Sequence, residues 1–123
     1  MKDLTKAEEQ VMQIVWDLGE GNVRDVVAGF PEPKPAYTTV ATVLKVLEKK
    51  GFVNKTPAGK SHLFSAKISK EDYSGFRVGT LVKNYFNGSF SKMASFFAKD
   101  NKLSIQELEE MIEIAKREMD KEK

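Results

Sequence analysis

Apolar residues near the start of the chain recur at three- and four-residue spacing: Ala7, Val11, Met12, Ile14, Val15 and Leu18, with Trp16 beside them. That rhythm predicts an amphipathic helix over 6–18. Thr5 and Glu8 form a capping box at its start, each side chain satisfying a free amide of the first turn, and Gly19 and Gly21 end it. Asn22 is placed to cap a short second helix with Val23, Val26, Val27 and Phe30 on one face. Pro31, Pro33 and Pro35 then stop any helix, because proline lacks an amide hydrogen and restricts the residue before it.

A third helix is predicted from Ala36 to Lys50, closed by Gly51. Val40, Val43, Leu44 and Leu47 form its buried stripe, while Thr38, Thr42, Lys45 and Lys49 lie opposite and Thr39 sits on the flank. Threonine is a poorer helix former than the Glu, Lys, Gln or Arg usual on a solvent face, so this face needs a reason other than helix stability. Segments 52–56 and 61–65 alternate as strands do, and Pro57-Ala58-Gly59-Lys60 between them is a turn. Three further helices are expected near 70–86, 89–99 and 104–120, the last opened by a second capping box, Ser104 with Glu107. The charged run Lys121-Glu122-Lys123 closes the chain.

Helix, helix, helix, hairpin over residues 1–67 is the order of a winged helix-turn-helix, and 68–123 forms a helical element behind it. The expected class is therefore mainly α with a small β-hairpin. Five of the eight phenylalanines (76, 86, 90, 96 and 97) fall in the C-terminal part, together with Leu108, Met111, Ile112 and Ala115. That apolar surface is too large for a small helical appendage to hide alone, which points to homodimerisation through Phe86, Phe90, Phe97, Leu108, Met111, Ile112 and Ala115.

Charge sharpens the picture. The 123 residues carry a net charge of only +2, but residues 1–32 sum to −4, 33–67 to +6 and 68–123 to zero. A basic patch coincides with the third helix and the hairpin, and such a patch is what phosphate binding requires. In a major groove, Thr38, Thr39, Thr42 and Lys45 would read base edges, and Lys49, Lys55, Lys60 and His62 would meet phosphates. Double-stranded operator DNA is the expected partner. The alternative is a winged helix that recruits another protein and uses its lysines only for solubility.

The absence of cysteine and the single histidine exclude disulfides, thiolate metal sites and a cysteine nucleophile, and no cofactor or metal is expected. One histidine cannot support a serine-histidine-aspartate set without further context, and Gly19-Glu20-Gly21 lacks the rest of a dinucleotide-binding loop, so no enzyme is expected. No apolar run approaches the roughly 20 residues a bilayer span needs, which predicts a cytoplasmic protein without membrane insertion.

The stretches Leu4-Thr5-Lys6-Ala7-Glu8-Glu9-Gln10-Val11-Met12, Ile14-Val15-Trp16, Thr38-Thr39-Val40-Ala41-Thr42-Val43-Leu44 and Leu47-Glu48-Lys49-Lys50-Gly51-Phe52-Val53 resemble the penicillinase repressor family. That family also holds the methicillin-resistance and copper-responsive repressors. The resemblance implies a homodimeric repressor on a pseudo-palindromic operator, with intertwined C-terminal helices. It also implies release through a membrane sensor-protease that cuts an Asn-Phe bond, and the corresponding place here is Phe96-Phe97, without the asparagine. The copper-responsive branch uses a cysteine-rich motif that this chain lacks.

Overall fold

The computed structural model describes residues 1–121; Glu122 and Lys123 of the terminal charged run lie outside the described residues. Its elements run α1 (Lys6–Leu18), β1 (Glu20–Gly21), α2 (Val23–Ala28), α3 (Tyr37–Lys49), β2 (Val53–Ala58), β3 (Ser61–Ala66), α4 (Lys70–Tyr85), α5 (Phe90–Lys99) and α6 (Ile105–Lys121). Two compact units result, Met1–Arg77 and Val78–Lys123.

In the first unit, α1 begins at the predicted capping box: the Glu8 amide donates to Thr5 Oγ1 at 3.2 Å and the Thr5 amide donates to Glu8 Oε1 at 2.8 Å. Asn22 caps α2 through a second reciprocal pair with Asp25. The apolar stripes converge as their spacing requires, with Val11, Met12 and Val15 of α1, Val26 of α2, and Val40, Leu44 and Leu47 of α3 all buried. Phe52, Val53 and Phe64 close the core from the hairpin side. Ala7 and Leu18, predicted on the α1 stripe, are exposed, since they stand at the two ends of the helix. Gly29 is needed where the end of α2 passes α1, because a Cβ there would come within 2.6 Å of Ile14 Cγ2.

The hairpin is a two-residue connection at Gly59-Lys60, with Gly59 in the left-handed region at φ 62°, and its register pairs Lys55 with Phe64 and Pro57 with His62. The sheet has a third strand that periodicity does not predict. Glu20 and Gly21 pair antiparallel with Ser65 and Phe64, giving the order β1-β3-β2. β2 is thus an edge strand, where a proline lacking its amide hydrogen is tolerated.

The first half of α4 belongs to this unit. Tyr73 is buried, accepts a 2.9 Å hydrogen bond from the Leu4 amide on its hydroxyl, and meets Phe52 edge-on at 5.7 Å between ring centroids. Trp16 packs at 6.1 Å from Tyr73 and donates its indole N–H to the Ile68 carbonyl at 3.0 Å.

The second unit comprises the rest of α4, α5 and α6. Val82 is buried, and Phe86, Phe96 and Phe97 form a chain of ring contacts at 5.9 and 5.4 Å. Ser89 caps α5, and the Ser104–Glu107 box opens α6 as predicted. No residue of α5 or α6 is buried.

Candidate nucleic-acid interface

Helix α3 presents two chemically different sides. Its stripe of Val40, Leu44 and Leu47 anchors it in the core, and Thr38, Thr39, Thr42, Lys45 and Lys49 are all exposed. Burial of one side fixes the helix, so the other is held out rigidly. At the N-cap stands Ala36, which supplies no side-chain acceptor to the first turn. Thr42 differs from its neighbours: its hydroxyl donates to the Thr38 carbonyl at 2.9 Å, so the donor is used within the helix. What Thr42 leaves free is its methyl group and the acceptor lone pairs of its oxygen.

The predicted wing residues Lys55, Lys60 and His62 are likewise exposed. Lys45, Lys49, Lys55 and Lys60 make no ion pair among the described residues. Their charge is therefore available to an external anion rather than neutralised inside the fold. Lys60 and His62 lie next to the start of α3, because both share a cleft with Tyr37, the residue before Thr38.

Two lysines counted in the basic patch hold the fold together instead. Lys34 donates to the Ala28 and Phe30 carbonyls at 3.0 and 2.6 Å, satisfying groups at the end of α2. Lys50 donates to both carboxylate oxygens of Glu8 at 2.8 Å, tying the end of α3 to the first turn of α1. Burial opposes ionisation of Glu8, but the hydrogen bond and charge of Lys50 and the Thr5 amide outweigh it, holding the carboxyl below its ordinary value. In the other direction, the acidic first segment contributes a cation that charge counting overlooks. Arg24, exposed on α2, lines the same cleft as Lys60 and His62. The tertiary pairing of β1 with β3, with α2 packed on α3 and β3, brings that segment beside the wing.

Most of the predicted dimer residues lack cover in the second unit, and so do Leu81, Tyr85, Phe96, Ile105 and Met119, which were not predicted. Phe90, Phe97, Met111 and Ile112 are exposed, Phe90 by 60% and Ile112 by 53%, Ala115 is exposed too, and Phe86 and Leu108 are half-buried. Along α6, Ile105, Leu108, Ile112, Ala115 and Met119 follow the alternating three–four spacing of a coiled-coil seam. Among the described residues no cluster of three metal-ligating side chains occurs, and no helix is long and apolar enough to cross a membrane.

Three helices with the third held outward, followed by a cationic two-stranded wing, define a winged helix-turn-helix protein. The penicillinase repressor family profile matches residues 4–117. The chain belongs to that family of DNA-binding, winged-helix transcriptional repressors. It is 24% identical over 121 residues to the penicillinase repressor of Bacillus licheniformis, spanning 98% of this chain and 94% of that one. The methicillin resistance regulatory protein MecI of Staphylococcus aureus strain N315 is 22% identical over 110 residues, 89% of each chain. Among solved structures, the DNA-binding domain of the repressor BlaI superimposes with a TM-score of 0.50 at 27% identity, covering 59% of this chain and 94% of that chain.

Proposed function

We propose that the chain is a homodimeric repressor that recognises a pseudo-palindromic operator, each protomer laying α3 in the major groove and its wing on the adjoining backbone. The observation that carries this reading is the outward face of α3. Threonines and lysines with no internal charge partner occupy a rigidly anchored helix beside an equally unpaired cationic wing. Thr38, Thr39 and Lys45 offer hydrogen-bonding groups to base edges, and Thr42 offers its methyl to thymine. Lys49, Lys55 and Lys60 neutralise phosphates and His62 contacts one from the wing, fixing register without reading sequence.

Dimerisation belongs to the same proposal. The apolar seam of α6 and the exposed rings of α5 supply the surface; the DNA-binding part expected over 1–67 takes in the start of α4 as far as Arg77, and the helices beyond it assemble the dimer. Two α3 helices related by a two-fold axis then read the two half-sites together. Release by proteolysis completes the cycle: Phe96 and Phe97 are exposed in α5, and that helical turn must open before a membrane sensor-protease can seat it. Incubation with a sensor-protease encoded beside the repressor should shorten the chain in α5; an intact mass contradicts that step.

Sedimentation and binding measured together test the core of the proposal. A dimer that binds a full operator far more tightly than a half-site supports it. A monomer at micromolar concentration, or equal affinity for both duplexes, contradicts it. The protein-recruiting alternative separates by salt: affinity for DNA should fall by orders of magnitude between about 50 and 200 mM if several phosphates are neutralised.

A further inference from the structure

A cleft of about 430 Å³ lies between the first turn of α2, the start of α3 and the wing tip. Arg24 comes from α2, Tyr37 from α3, and Lys60, Ser61 and His62 from the wing. Among the described residues, no carboxylate lines it. The nearest acid in sequence, Asp25, is committed to the Asn22 amide through its capping box. The side chains of Arg24, Tyr37, Lys60 and His62 make no hydrogen bond or ion pair among the described residues. A guanidinium, an ammonium, an imidazole and a phenol from three separate elements thus surround one polar, open space.

We propose that this cleft holds a backbone phosphodiester of the bound DNA, with Arg24 as the central, fork-shaped donor and Lys60 as the second cation. The inference rests on the DNA-binding reading of α3 and deepens it by assigning Arg24 and Tyr37, residues outside the third helix's reading face and the wing, to the DNA surface. Like charges from separate elements converging without a counter-ion are unfavourable unless an anion joins them. A guanidinium is the side chain best shaped for two phosphate oxygens at once. The site sits one residue before Thr38, so a phosphate held there fixes how far α3 enters the groove and which bases its threonines meet. Arg24 is therefore a positioning residue for base recognition: its phosphate hydrogen bonds are independent of sequence, but they set the register on which sequence reading depends.

The test uses the full-length protein, Arg24→Gln, Tyr37→Phe and Thr38→Ala, with operator duplexes carrying one methylphosphonate at a time. Arg24 is exposed, and an unchanged melting curve establishes that Arg24→Gln folds. In the wild type, one neutral linkage per half-site should weaken binding about tenfold, and the same linkage should cost Arg24→Gln almost nothing. Arg24→Gln on unmodified DNA should bind about tenfold more weakly to operator and scrambled duplexes alike, with a salt slope shallower by roughly 0.9 for each phosphate it no longer neutralises. Tyr37→Phe should show a smaller loss at that linkage alone.

If every linkage remains as important to Arg24→Gln as to wild type, while Thr38→Ala still loses operator selectivity, the cleft assignment is overturned and the α3 reading stands. If Thr38→Ala also leaves selectivity unchanged, the DNA-binding reading beneath it fails. Should millimolar inorganic phosphate shift the His62 ring resonances while Arg24→Gln keeps full operator affinity, the cleft takes a free anion and the DNA assignment is overturned.

Discussion

Replacing Glu8 with Gln isolates the charge that ties the end of α3 to the rest of the fold. Glutamine still accepts from the Thr5 amide, so the capping box survives the substitution. What disappears is the ion pair with Lys50, two 2.8 Å hydrogen bonds onto a carboxylate whose side chain is only 7% exposed. Breaking a fully buried pair costs about 3–5 kcal/mol, chiefly by stranding a charge. Lys50 keeps 28% of its side chain exposed and can turn into water, so the loss falls to about 2 kcal/mol, near the range for a charge-assisted hydrogen bond. For a unit of 77 residues this corresponds to a drop of about 8–16 °C in midpoint. The pH dependence has a definite sign. Because the folded carboxyl is held below its ordinary value of 4.5, its contribution is complete above that pH and is lost as pH falls through the lower folded value. Urea or thermal melts of both proteins should show a constant gap from about pH 6 to 8 that closes on acidification. A gap under about 0.5 kcal/mol at neutral pH, or one unchanged in acid, would show that the Glu8–Lys50 pair does not anchor α3.

Thr38→Ala should cost about 1–3 kcal/mol on the operator and little on scrambled DNA, measured by anisotropy titration. Thr42→Val should retain most of the affinity that Thr42→Ala loses, because the valine keeps a methyl and the wild-type hydroxyl already donates to the Thr38 carbonyl; equal losses would show that the hydroxyl reads a base. Phe90→Asp or Met111→Lys, both at exposed apolar positions, should raise the dimer dissociation constant and weaken full-operator binding with half-site affinity unchanged, as read by sedimentation and gel shift. Tyr73→Phe should destabilise by about 1–3 kcal/mol in a urea melt, since it strands the buried Leu4 amide.

Much of this architecture is legible along the chain because it is local. The Thr5–Glu8 and Ser104–Glu107 boxes, the Gly51 stop and the stripe of Val40, Leu44 and Leu47 are set by residues within a few positions of one another. β1 is not, because two residues carry no periodicity and become a strand only by finding Ser65 and Phe64 more than forty positions away. The same pairing explains why charge counting sees only part of the proposed interface. It places Arg24, from a segment of net −4, beside Lys60, while Lys50 and Lys34 leave the basic patch for Glu8 and the end of α2. The threonine face of α3 stands out in the sequence because a poor helix former on a solvent side contradicts local propensity, which is where a functional or strained site is expected.

Sequence-specific repression is tested most directly by competition binding of the purified protein to the DNA upstream of its own gene, against a scrambled duplex, at two salt concentrations. A sequence-specific repressor binds tightly, resists the scrambled competitor and weakens steeply with salt. Equal affinity for both duplexes, or no binding at low salt, would contradict that role.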